Sequence, residues 1–270
     1  MNNTRKSNGW LLVEQKPENP KYKVLLIPGL MGSDTVFSKL MNEQKLHDTD
    51  VHVIAGNPPG FKGQPVSSDF DFSIESYAKL VETLAKAEKI DLIVGHSFGA
   101  NVLIEVAARE KYKGKLMLIS PSLDRESETK DMQLLDKLSR KKLLAGVIWQ
   151  ITYMTMKSVF APYFDDKELL NTVVADAKKI PKSVGRKTFL GFFNYLDNHG
   201  DLAERLAITK VPVYYVRGGK DNIGFTESQR EILDSRDLIQ IHDIADAGHF
   251  AMCDQPAKVA QLIIELLKDT

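Results

Sequence analysis

Only one cysteine, Cys253, occurs in the 270 residues, so an internal disulfide is excluded and no thiol pair exists for a zinc ribbon or a redox motif. That usage fits a reducing compartment, and a cytoplasmic location is expected. Net charge is absent as well: 36 Lys plus Arg balance 36 Asp plus Glu, leaving no overall field to hold a polyanion. Nucleic acid is therefore not an expected partner. Long apolar runs are missing too. The stretch Leu143–Met156 carries no formal charge, but it falls well short of the roughly 20 residues a spanning helix needs. A buried or interfacial helix is expected there, and no integral membrane segment. The chain from Met1 to Pro20 is polar apart from Trp10–Val13, which is too short for the apolar part of a secretory signal. Finally, no His, Cys or acidic cluster has metal-ligand spacing and no phosphate loop appears, so the chemistry is expected to need no metal and no cofactor.

What is present describes a folded chain. Hydrophobic residues make up 43% and charged residues 27%, ordinary values for a globular protein with a sizeable core. Apolar runs bounded by turn residues predict strands at Trp10–Gln15, Lys23–Pro28, Val51–Gly56, Ile90–Gly95, Lys115–Ser120, Val211–Arg217 and Leu238–Ile244. Most are nearly unbroken, as expected where helices cover both sheet faces. Apolar residues at helical spacing lie between them: Ile74, Tyr77, Leu80, Val81 and Leu84, then Val102, Leu103, Val106 and Ala107. A last helix runs from Pro256 through Val259, Leu262, Ile263, Leu266 and Leu267. Alternation of this kind implies crossover connections, hence an α/β protein with a doubly wound, mainly parallel central sheet. The rhythm breaks between Pro121 and Lys210, where only helical patterns occur. Residues 1–120 and 211–270 are thus expected to form the sheet-centred core and residues 121–210 a helical insertion.

Three turns carry candidate chemistry. Gly95-His96-Ser97-Phe98-Gly99 joins the end of a predicted strand to a predicted helix. A serine on so sharp a turn is held in a strained backbone conformation, and the N–H groups that follow sit at a helix N-terminus, where negative charge is favoured. A serine hydroxyl needs a base oriented by a third group. Gly218-Gly219-Lys220-Asp221 and Asp246-Ala247-Gly248-His249-Phe250 each follow a predicted strand, at the sheet edge where ligand chemistry gathers in parallel sheets. Ser97, Asp221 and His249 are therefore expected to converge.

With its nucleophile elbow, acid turn and histidine turn in that order, the chain resembles the α/β-hydrolases. The resemblance runs from Lys23 to the C-terminal helix and implies a Ser97–His249–Asp221 triad. It also implies an oxyanion hole from the backbone N–H groups of Phe98 and of Leu30, the latter in Ile27-Pro28-Gly29-Leu30-Met31-Gly32, where many members carry histidine at the Pro28 position. Asp124 lies where some members place their acid and stays an alternative to Asp221. His96 is expected to be a packing residue, and Cys253 a core side chain. Serine at position 97 sets aside the relatives that use aspartate there, haloalkane dehalogenases and epoxide hydrolases.

In this family an insertion after the strand ending at Ser120 commonly forms a lid, so the resemblance implies a lid over residues 121–210. Its aromatics, aliphatics and methionines, among them Trp149, Tyr153, Met154 and Met156, suit a pocket for the apolar part of a small acyl substrate, although more than half are expected simply to pack the insertion onto the sheet. The insertion has 15 basic and 12 acidic residues. Arg140-Lys141-Lys142 and the group Lys178, Lys179, Lys182, Arg186 and Lys187 form either a solvated face or a guide for an anionic substrate or surface. Hydrolysis of a carboxylic ester is the first expectation. A thioesterase or C–C bond hydrolase on the same triad, or a slow ligand-binding receptor of the same fold, are the alternatives.

Overall fold

A computed structural model describes residues 3–269. Eight strands form one sheet: β1 (Asn3–Ser7), β2 (Trp10–Gln15), β3 (Tyr22–Ile27), β4 (Val51–Asn57), β5 (Leu92–His96), β6 (Lys115–Ile119), β7 (Val213–Gly218) and β8 (Ile239–Ile244). Their order across the sheet is β1-β2-β4-β3-β5-β6-β7-β8. From β4 to β8 every neighbouring pair is parallel, and only the β1–β2 and β2–β4 pairs are antiparallel. The doubly wound, mainly parallel architecture expected from the sequence is what the chain adopts.

The seven expected strands are present with ends shifted by a residue or two, and β1 is an eighth that apolar patterning did not reveal. Its sequence, Asn-Thr-Arg-Lys-Ser, has no apolar side chain because it is an exposed edge. It exists because Asn8 and Gly9 both adopt positive φ, 49° and 81°, the tight turn whose twist matches a hairpin. Arg5 then fastens the edge inward, with Nη2 2.7 Å from both Glu14 and Glu88.

Alternate strand residues point to opposite faces, which sorts the core into two layers. Leu25, Ile27, Ile93, Leu116 and Leu118 pack on one side beneath the helices Ile74–Glu88 and Phe98–Arg109. Val24, Leu26, Leu92, Val94 and Met117 pack on the other beneath the helix Pro256–Lys268.

Residues 121–210 contain helices and no strand: Lys130–Ser139, Ala145–Phe160, Lys167–Lys178, Lys182–His199 and Leu202–Ala207, with a short turn of helix at Ala161–Tyr163. These helices reach both layers. Trp149, Tyr153, Phe189 and Phe193 belong to the first core, whereas Phe164, Leu169, Leu170 and Val173 belong to the second. Buried polar contacts pin them further. Glu105, on the helix Phe98–Arg109, accepts from Arg205 Nη2 at 2.6 Å and from the Tyr195 hydroxyl at 3.2 Å. Asp176 accepts from Ser33 Oγ at 2.9 Å and Thr35 Oγ1 at 2.8 Å, in the loop that follows β3.

The stretch Leu143–Met156 lies mostly within the helix Ala145–Phe160, with Ala145, Trp149, Tyr153 and Met156 inward. Leu143, Leu144, Val147, Ile151, Met154 and Val159 face solvent instead. Of these, Val147, Ile151 and Met154 project from the side of the helix opposite its buried face, and Leu143 and Leu144 lie in the turn that precedes it.

Candidate active site

The three candidate turns all leave the carboxyl edge of the sheet. Ser97 follows β5, in the middle of the sheet, and its N–H donates to the Ile119 carbonyl of β6 at 2.8 Å. Its φ of 50° and ψ of −119° belong to a region that glycine enters freely and other residues enter only under strain. The turn closes because Gly99 has no side chain: a Cβ there would stand 2.5 Å from the Ile27 carbonyl oxygen and 2.8 Å from that of Pro28. The helix Phe98–Arg109 starts at once, so the Phe98 N–H has no partner within its own helix. Among the described residues neither that N–H nor the N–H of Leu30 donates to a backbone carbonyl. Gly29 lies against the Ser97 side chain: a Cβ on it would be 3.2 Å from Ser97 Cβ. The loop with Leu30 and the serine are thus neighbours.

The acid and histidine turns are joined by their backbones. Gly219 N–H donates to the Ile244 carbonyl and Lys220 N–H to the Ala247 carbonyl, both at 2.9 Å. The approach is close enough that a Cβ on Gly218 would meet the carbonyl oxygens of Gly248 at 2.3 Å and Ala247 at 2.4 Å. Asp221 and His249 meet as a result, with Nδ1 3.1 Å from Oδ1 and 3.3 Å from Oδ2. Burial works to raise the Asp221 carboxyl, but its hydrogen bond to His249 and the charge of that ring outweigh burial and hold it below the ordinary carboxylate range. The Ile223 N–H, at 3.0 Å, works in the same direction. So does the buried Ser120 hydroxyl, although it stays outside strict hydrogen-bonding geometry.

Asp124, the alternative acid, is committed elsewhere. It accepts from Ser127 N–H at 2.6 Å, Ser127 Oγ at 2.7 Å and Gln229 Nε2 at 2.6 Å, and His249 pairs with Asp221 instead. The Ser97 hydroxyl has no hydrogen-bond partner among the described residues; such bonds are often long until substrate tightens them.

Three residues near the site have parts that sequence reasoning did not assign. His96, expected only to pack, has Nε2 3.0 Å from the His249 carbonyl. Burial and the neighbouring His249 push its pKa down to about 3, so the ring is neutral and Nε2–H is the donor in that bond. Its centroid lies 4.8 Å from that of His249. Glu128, close enough to respond to the charges of both His249 and Asp221, is pushed upward by burial and accepts a hydrogen bond from the Ser122 hydroxyl. Tyr163, from the helical segment, stands 6.1 Å from the His249 ring, centroid to centroid. Glu128 carries no local sequence signal and Tyr163 only that of one aromatic among those of the insertion, since each arrives through the fold of residues 121–210. For His96, its place beside Ser97 was the only clue.

The basic group in that segment is largely engaged internally. Lys179 pairs with Asp176 at 2.7 Å, Arg186 donates to the Ser139 carbonyl at 2.6 Å, Lys187 lies 5.3 Å from the centre of the Phe72 ring, and Lys182 bonds to Gln150. Two shallow depressions of about 270 and 430 Å³ lie by the amino ends of β7 and β8, at the opposite edge of the sheet from Ser97. Neither adjoins the residues above. No group of three or more His, Cys, Asp or Glu able to hold a metal occurs among the described residues.

Comparison with known proteins places the fold in a family. Monoacylglycerol lipase ABHD6 of Mus musculus is 21% identical over 259 residues, covering 92% of this chain and 76% of its own length. Among solved structures, a variant of N-acyl homoserine lactonase AidH complexed with N-hexanoyl homoserine lactone superposes with a TM-score of 0.74 at 17% identity, covering 100% of this chain and 98% of that one. A thermophilic esterase from Thermogutta terrifontis gives 0.69 at 20% identity, with 99% and 98% covered. These structural likenesses show the fold. The family model described as "Alpha/beta hydrolase family" matches residues 24–262, the parallel strands β3 to β8 and everything inserted among them, and on that match the chain belongs to the alpha/beta hydrolase family.

Proposed function

We propose that the protein is a serine hydrolase that cleaves a carboxylic ester. The observation that carries this reading is the part-buried Asp221–His249 pair, 3.1 Å apart, at the same sheet edge as a serine in a strained elbow. The named activities of the relatives support it, since a monoacylglycerol and an acyl homoserine lactone both contain an ester.

In this reading Ser97 Oγ attacks the ester carbonyl while His249 Nε2 takes its proton. Asp221 holds the opposite ring nitrogen, fixing the tautomer and stabilising the imidazolium that forms. The N–H groups of Leu30 and Phe98 stabilise the oxyanion, each worth about 3 kcal/mol of barrier lowering. His249 then gives its proton to the leaving alcohol, and water, activated by the same imidazole, releases the acid from Ser97. No cofactor is needed for these steps. Residues 121–210 act as the lid that shapes the acyl site. Tyr163 reaches His249 from one side, and the segment meets the oxyanion loop on the other, where a Cβ on Gly185 would lie 3.3 Å from Met31 Cε. The apolar character of those contacts fits a substrate with an apolar acyl portion.

Labelling with a fluorophosphonate probe tests the reading. Wild type should label and Ser97→Ala should not, and Asp221→Asn should lower kcat on p-nitrophenyl esters by about 10⁴. A well-folded wild type that fails to label sinks the proposal, and an unimpaired Asp221→Asn removes Asp221 from it.

A further inference from the structure

The outward face of the helix Ala145–Phe160 is the feature of the molecule that the proposed chemistry does not use. Val147, Ile151 and Met154 recur on it at helical spacing and are 60%, 50% and 69% exposed; Leu143, at 96%, and Leu144, at 46%, continue the same stripe just before the helix. From Leu143 to Met154 the ridge is about 17 Å long at 1.5 Å per residue. The opposite face is buried through Ala145, Trp149, Tyr153 and Met156. Large apolar side chains gathered on one exposed stripe mark a contact surface rather than an ordinary solvent face.

Along the chain, the formal charges that flank the ridge have one sign. Between Asp136 and Asp165 the sequence has no acidic residue, but it has Lys137, Arg140, Lys141, Lys142 and Lys157. Arg140 is spent on Asp136 and Asp197. Lys141 and Lys142, at one end of the ridge, and Lys157, toward the other, are exposed and form no ion pair among the described residues. A second copy of the chain laid on this face would bring its own lysines against these. An acidic, lipid-like surface would instead neutralise them while the ridge left water. The helix cannot cross such a layer, since no helix among the described residues is long and apolar enough.

We infer that this face docks the protein onto an anionic phospholipid surface. The helix lies in the plane of the interface, with Leu143, Val147, Ile151 and Met154 entering the acyl boundary and Lys141, Lys142 and Lys157 at the phosphates. The inference goes beyond the hydrolase reading and does not depend on it.

The test is sedimentation of the full chain with vesicles of mixed phosphatidylcholine and phosphatidylglycerol, against vesicles of phosphatidylcholine alone. Binding is expected only to the mixed vesicles and should weaken as salt rises. The triple variant Val147→Ser/Ile151→Ser/Met154→Ser should lose at least tenfold in partitioning. Lys141→Gln/Lys142→Gln should lose about 30-fold, at roughly fivefold per lysine. All five substituted side chains are exposed, so circular dichroism and melting temperature should stay at wild-type values. Ser97→Ala should bind vesicles as wild type does, which separates this proposal from the catalytic one. Failure of wild type to bind mixed vesicles, or undiminished binding by the triple variant, would overturn it. So would a dimer in sedimentation velocity that the triple variant dissolves, because the occupant would then be a second copy.

Discussion

Replacing Ser97 by glycine should make the protein more stable. At φ 50° and ψ −119°, the serine pays for a conformation that costs a residue with a Cβ about 1–3 kcal/mol. Glycine adopts it freely but leaves a more disordered unfolded chain, a penalty of about 0.4–1 kcal/mol relative to alanine. The serine hydroxyl has no hydrogen-bond partner, so its loss adds little. The useful comparison is Ser97→Gly with Ser97→Ala, because both remove the hydroxyl and only one removes the strain. The difference should be about 1 kcal/mol in favour of glycine, which for a chain of this size corresponds to a rise in melting temperature of roughly 2 °C. Thermal unfolding by calorimetry at one scan rate and neutral pH measures it, and both variants should be inert toward esters. If Ser97→Gly melts at or below Ser97→Ala, the elbow is not strained and this account of its geometry is wrong.

Gly218→Ala should drive the acid and histidine turns apart, since its Cβ would sit 2.3 Å from the Gly248 carbonyl oxygen. A loss of about 1–3 kcal/mol in urea unfolding is expected, together with a larger fall in ester turnover than stability alone explains; full activity would contradict the close approach. His96 has a folded pKa of about 3, below its ordinary value, so the stability it contributes is present above pH 6.5 and is lost as pH falls, when the unfolded chain takes a proton that the fold refuses. Between pH 6.5 and 5 wild type should therefore lose stability faster than His96→Gln, by up to about 1.4 kcal/mol per unit, and parallel urea-midpoint curves would refute the buried neutral ring. Arg205→Met strands the carboxylate of Glu105, which is only 4% exposed, and should cost about 3 kcal/mol in urea unfolding. Changing Glu105→Leu as well should recover part of that loss, and a neutral single variant would show that the pair contributes nothing.

The central strands were legible because burial on both faces leaves continuous apolar runs such as Val24–Ile27 and Leu92–Val94. The edge strand Asn3–Ser7 was not, because its pairing depends on backbone hydrogen bonds and on the Asn8-Gly9 turn rather than on burial. The candidate site was readable where a local turn carries the side chain, as at Ser97, Asp221 and His249. Sequence left Asp124 open as the acid, and only three-dimensional placement commits it to Ser127 and Gln229. The bond from His96 to the His249 carbonyl joins residues 153 apart, and no local pattern encodes such a contact. For the uncharged stretch Leu143–Met156 the sequence left a buried and an interfacial helix open, and only the fold shows which side chains face inward and which face solvent.

The insertion that reaches both core layers also divides the chain in time. Synthesis delivers the serine elbow early, whereas β7, β8 and the Asp221–His249 pair come after all the inserted helices. The residues proposed to serve Ser97 thus exist only once the insertion has been made. In the proposed mechanism, competence to react is thereby tied to completion of the fold, and a chain that stops before β7 should not turn over esters.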